Sequence, residues 1–233
     1  MPGADAADDL DQLIRRVDPD RWLASRFIAD RGARTDVLAL YAFDYELVRA
    51  TKAASTQLLA EIRLTWWREA LDEMFAARPV RRHPVAEALA DAVRRRGLPR
   101  EPLEAMIDGQ IESLEVERFD EAAATAWADA VEGSLASLAA MALDPSTSGL
   151  AAPAGRAWGL ALLSRSGRAS EAVLRPLLSR TLAEARTAAT GLSVTAMPAA
   201  LPARLARFDL AGRSPGAVAK RLALVLAVAS GRL

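Results

Sequence analysis

The chain has 233 residues, of which 52% are hydrophobic, with 30 basic and 30 acidic side chains. A formal charge of zero gives no electrostatic footprint for nucleic acid. The absence of cysteine excludes disulfides, thiolate metal sites and cysteine nucleophiles, and the single histidine, His83, excludes a histidine-rich metal site.

Residues 1–7 are expected to be disordered, and the acidic N-terminus lacks the hydrophobic run of a secretory signal. Asp8 to Val17 reads as a short helix that stops at Asp18-Pro19. Asp18 caps a second helix, Asp20 to Ala29, with Pro19 at its first position. A long helix from about Thr35 to Ala54 places Val37, Leu40, Tyr41, Asp44, Leu47, Val48 and Thr51 at spacings of three and four, one helical face. Asp44 stands in the middle of that apolar face. Ser55 and Thr56 break the chain and cap a second long helix, with Leu59, Ile62, Trp66, Ala70 and Met74 on one face and Trp67, Leu71 and Phe75 widening the stripe.

The loop after it, with Arg78, Arg81, Arg82 and His83, reads as solvated. Pro84 to Arg96 is a helix ended by Gly97, with cations in its last turn. Leu98-Pro99 opens another, to about Glu117. A helix over Asp120 to Leu143 comes next, then a linker, DPSTSG. Helices near 150–165, 171–190, 199–209 and 215–230 close the chain. The most apolar run, Leu222 to Ala229, is shorter than the roughly 20 residues of a membrane span. It reads as a core helix, with peripheral membrane contact as the alternative. No stretch alternates like a strand. The expectation is an all-α bundle of roughly ten helices, one domain over 8–233, in a cytoplasmic protein either free in solution or peripheral to the inner membrane.

Several segments resemble the squalene/phytoene synthase family: Trp22-Leu23-Ala24-Ser25, Leu40-Tyr41-Ala42-Phe43, the run from Glu61 to Leu71 (EIRLTWWREAL) and His83-Pro84-Val85-Ala86. The resemblance implies an all-α isoprenoid-synthase fold. It also implies head-to-head joining of prenyl diphosphates, with magnesium ions neutralising the departing diphosphate. Magnesium takes oxygen ligands, so each of two family helices presents carboxylates at i and i+4. The matching positions here are Val48 and Lys52, then Ser166 and Ser170, none of them a carboxylate. In this the chain looks more like the branch of the family that lacks these motifs and includes a mitochondrial assembly factor for respiratory complex I. The resemblance thus implies a pseudoenzyme with no catalytic residues and no metal, and a protein partner in respiratory-complex assembly. Two alternatives stand beside it: a protein that binds a prenyl diphosphate or lipid, and a residual prenyl transferase using Asp44 and Asp108, for which alone magnesium would be a cofactor.

The ligand-binding candidates are Tyr41, Asp44, Arg49, Lys52, Arg63, Trp66 and Arg165, with Arg168 beside the last. Arginine pairs phosphate bidentately, so fixed cations could hold a diphosphate without metal. Against this stand plainer readings. Arg49 and Lys52 pair with Glu46 and Asp44. Asp44 is a buried carboxylate held by a neighbour, with Arg63 as the expected partner. Trp66 and Trp67 point about 100° apart on a helix, so one faces the core. Asp108 and Glu112 form a solvated i, i+4 pair.

Overall fold

The computed structural model describes residues 4–233, with side chains from residue 7 onward. Of the stretch expected to be disordered, residues 1–3 lie outside the described residues, and the first helix already begins at Ala4. The chain packs as two compact units, Met1–Glu115 and Val116–Leu233. Among the described residues there is one isolated bridge, Phe119 with Ala169, and no strand.

The first unit contains α1 (Ala4–Val17), α2 (Pro19–Ser25), α3 (Arg31–Lys52), α4 (Gln57–Phe75), α5 (Pro84–Arg96) and α6 (Arg100–Glu112). Asp18 caps α2 as expected, its side chain accepting from the Arg21 amide. That helix stops at Ser25 rather than Ala29, because the amides of Arg26, Phe27 and Ile28 turn back three residues instead of four. Asp30 then caps α3, accepting from the Ala33 amide, so α3 starts four residues before Thr35. α3 packs on each of the other five helices of the unit. It is buried around most of its circumference, with Val37, Leu40, Phe43 and Leu47 fully enclosed, as befits a central helix.

A buried ion cluster also holds α3 in place. Asp36 is completely buried and sits under the C-terminal end of α5. Arg95 donates to one of its oxygens at 2.5 Å and 3.1 Å, and Arg96 donates to the other at 2.6 Å. A buried carboxylate requires such partners. α4 packs alongside through one side of the expected stripe, the side of Trp67, Ala70 and Leu71, and leaves the Ile62 side open. Its buried stripe is Ala60, Leu64, Trp67, Ala70 and Leu71, while Ile62 is 56% exposed. Trp67 is the tryptophan that enters the core, at 3% exposure.

The second unit contains α7 (Glu121–Trp127), a π-helical turn (Ala128–Gly133), α8 (Ser134–Leu143), a 3-10 segment (Pro145–Ala151), α9 (Ala152–Ser166), α10 (Glu171–Ala189), α11 (Met197–Ala200), α12 (Pro202–Leu210) and α13 (Ala217–Ser230). The single helix expected over Asp120–Leu143 is thus continuous from Glu121 to Leu143, with a π turn in its middle. α9 lies against that turn through Gly155 and Gly159. A Cβ on Gly155 would fall 2.0 Å from the Glu132 carbonyl oxygen. DPSTSG, expected as a linker between helices, folds as an ordered 3-10 connection. Asp144 accepts from the amide and hydroxyl of Ser146, and the 3-10 segment packs on α8 inside the unit. Among the described residues, no helix is long and apolar enough to cross a membrane.

Candidate functional site

The candidates on α3 and α4 divide into two groups. Asp44 and Tyr41 face Arg21 of α2, a residue that no sequence motif singles out. Arg21 Nη1 donates to Asp44 at 2.8 Å and to Asp18 at 3.2 Å, and its guanidinium lies 5.4 Å from the centre of the Tyr41 ring. The expected partner, Arg63, is therefore wrong: Arg63 is on α4 and lines an open pocket instead. Arg21 and Asp44 are both buried, with side chains 5% and 6% exposed. Burial pushes the Asp44 carboxyl above its ordinary range, against the opposing pull of Arg21 and the weaker one of Lys52. Its Oδ1 atom meets no donor among the described residues, which agrees with that direction.

The second group forms that pocket, of about 470 Å³. Its α3 wall is Glu46, Arg49, Ala50 and Ala53. Its α4 wall is Ile62, Arg63, Trp66 and Trp67, and His83 closes one end. The α3 wall is turned about 120° around the helix from Val48 and Lys52. Arg49 donates through Nε to Glu46 at 3.0 Å, so the plain ion-pair reading of Arg49 holds. Among the described residues no hydrogen bond or ion pair reaches Arg63.

His83 and the loop before it are not simply solvated. The His83 ring meets the rings of Trp66 and Trp67 edge-on, with centroids 5.4 Å and 5.3 Å away. It occupies the N-cap position of α5 without a side-chain cap bond. Arg81 ties the loop to α4. It reaches Glu73 at 2.8 Å and Glu69 at 3.1 Å, and it covers the Trp66 ring at 4.9 Å. Those hydrogen bonds hold the Glu73 carboxyl below its ordinary value. The pocket's aromatic wall is thus fastened by a residue outside the pocket.

Val48 is half-buried and Lys52 is exposed near the C-terminal end of α3. In the second unit, the Ser166 hydroxyl donates to the Leu163 carbonyl, and Ser170 caps α10 by accepting from the Val173 amide. Arg165 makes two parallel bonds to Asp209, each 2.8 Å, and lies 4.5 Å from the Trp158 ring. Arg168 lies over Phe119 at 4.6 Å and donates to the Val116 carbonyl at 2.8 Å. An isopropyl group, an ammonium and two hydroxyls engaged with backbone do not fit magnesium, which takes carboxylate and carbonyl oxygens. Asp108 is engaged by Arg68. Among the described residues, no three metal-ligating side chains converge.

The profile of the family described as squalene/phytoene synthase matches residues 14–166. Over 104 residues, 45% of the chain, the sequence is 31% identical to NADH dehydrogenase (ubiquinone) complex I, assembly factor 6, of Rattus norvegicus. It is 27% identical to the Homo sapiens protein of that name. The match spans 31% of the length of each of these relatives. Among solved structures, a dehydrosqualene synthase in complex with ligand superposes with a TM-score of 0.81 at 15% identity, over 97% of this chain and 96% of that one. A squalene synthase from Alicyclobacillus acidocaldarius gives a TM-score of 0.70 at 14% identity, over 97% and 94%. At such identities the likeness shows the fold alone, an all-α isoprenoid-synthase fold.

Proposed function

Since the chain belongs to the squalene/phytoene synthase family, we propose that it is a member without prenyl-transfer chemistry, an accessory factor that takes part in assembling respiratory complex I. The observation that carries this reading is the pair Val48 and Lys52. They stand on α3 where the family resemblance places magnesium ligands, seven and eleven residues beyond Tyr41. Lys52 adds a positive charge at a position that would have to attract a dication, and the α3 carboxylate in line with it, Asp44, is held by Arg21. Ser166 and Ser170 offer no replacement in the second unit. The similarity to the rat and human complex I assembly factors supports the specific task, over the segment it covers.

Purified protein with magnesium and farnesyl diphosphate should release no head-to-head product; product formation would overturn the reading. Deletion of the gene should lower the amount of assembled complex I on native gels. Unchanged complex I would remove the specific task while leaving the loss of chemistry standing.

A second reading is favoured by the pocket itself. Arg63 has no partner among the described residues, and it stands beside Arg49 and an aromatic wall of Trp66, Trp67 and His83. A cation beside apolar surface suits an amphipathic anion such as a prenyl diphosphate or a phospholipid. Such a ligand would bind without metal and without ionising. Calorimetry with farnesyl diphosphate in the presence of chelator checks this. Heat of binding that competes with pyrophosphate and weakens in Arg63→Ala supports it, and no heat counts against it.

A further inference from the structure

α13 turns an entirely apolar stripe outward. At 100° per residue, Val218, Leu222, Val225 and Ala229 fall on one side, with Leu226 at the margin. Ala223, Leu224 and Ala227 lie on the opposite side, which is buried, and α12 is the main neighbour of the helix. The outward residues are open to solvent: Val218 is 79% exposed, Leu222 58%, Leu226 52% and Val225 48%. A helix that is apolar on opposite sides is ordinarily covered on both, and a contiguous exposed apolar patch marks a docking face.

Charge selects the occupant. From Leu210 to Leu233 the chain carries Arg213, Lys220, Arg221 and Arg232 and no aspartate or glutamate, although its formal charge as a whole is zero. Arg213, Arg221 and Arg232 are exposed. A second copy laid face to face would bring these cations together with no carboxylate in the segment to answer them. An anionic lipid surface answers the exposed Arg213, Arg221 and Arg232. Length agrees: 14 residues make a helix of about 21 Å. That is short of the roughly 30 Å hydrocarbon core, and suited to lying in the plane of the interface.

We infer that α13 is an interfacial helix that binds an anionic bilayer surface. Val218, Leu222, Val225 and Leu226 enter among the acyl chains, and Arg221 and its basic neighbours meet headgroup phosphates. This holds whether or not the protein acts in complex I assembly.

The test is co-sedimentation of the full chain with phosphatidylcholine vesicles, with and without phosphatidylglycerol. Binding is expected to the phosphatidylglycerol vesicles and to weaken as salt is raised. The double variant Leu222→Glu/Leu226→Glu, whose sites are already exposed, should melt like the parent and lose about tenfold or more in partitioning. Arg213→Gln/Arg221→Gln should weaken binding on phosphatidylglycerol vesicles only. Absence of binding, equal binding to both vesicle types, or binding unchanged by the glutamate variant overturns the inference. So does a concentration-dependent dimer that the glutamate variant dissolves without any vesicle binding, since the face would then belong to a second copy.

Discussion

Arg21 and Asp44 show how much one residue can depend on another far away in sequence. The two are 23 residues apart and joined by a 2.8 Å bond inside the first unit. Removing the cation alone strands a buried carboxylate, so Arg21→Ala should destabilise by about 3–5 kcal/mol in urea unfolding. Asp44→Asn, which removes the charge that needs answering, should cost less. The sign of the pH dependence separates Asp44 from Glu73. Burial raises the Asp44 pKa, so its contribution to stability is fully present below the unfolded-state value of 3.8 and is lost as pH rises through the raised folded value. Bonds from Arg81 lower the Glu73 pKa. Its contribution is present above 4.5 and lost as pH falls through the lowered folded value. Melting curves taken from neutral pH downward should therefore show Glu73→Gln flattening the acid-side loss of stability. Asp44→Asn should instead remove a decline that runs the other way.

Among the helices, the contact of α9 with the π turn is the most demanding. The Cβ of an alanine at Gly155 would meet a backbone carbonyl at 2.0 Å, whereas at Gly159 it would meet the Glu132 side chain at 2.8 Å. Backbone cannot step aside as a side chain can. Gly155→Ala should cost about 3 kcal/mol or more, the upper range for overpacking, and Gly159→Ala distinctly less, as read from denaturation midpoints. The end of α4 offers the opposite case. Ala77 lies just past the cap with φ of 53°, the one positive value at a non-glycine residue among those described. Left-handed backbone costs an L-residue roughly 1–2 kcal/mol. Ala77→Gly should raise the melting temperature by a few degrees once the entropy of the added glycine is offset.

At the scale of the whole molecule, the fold class is plain in the sequence because it rests on local signals. Helical spacing, capping residues and glycine stops carry it: Pro84, Arg96 and Gly97 bound α5 as expected, and Thr56 caps α4. The sequence does not reveal what only distant partners decide. The rotation of α4 is half legible: the apolar stripe runs from Ile62 and Trp66 round to Trp67 and Leu71, and only packing on α3 and α6 selects its Trp67–Leu71 side. The π turn depends on glycines more than twenty residues downstream. The site is legible in part. Arg49, Arg63 and Trp66 do line one pocket, but nothing local marks Arg21 as the partner of Asp44, or Arg81 as the fastening of the aromatic wall.

α3 meets every other helix of its unit and is clamped at Asp36 by two arginines from α5. That arrangement has a kinetic consequence. No local fraying can open the middle of such a helix, so its amides have no route to solvent short of undoing the unit around it. Deuterium exchange should leave Leu38 to Leu47 as the slowest protons of residues 4–115, with an opening free energy equal to that of unfolding the whole unit. Asp36→Ala, which loses charge-assisted bonds together worth about 3 kcal/mol or more, should speed all of them together.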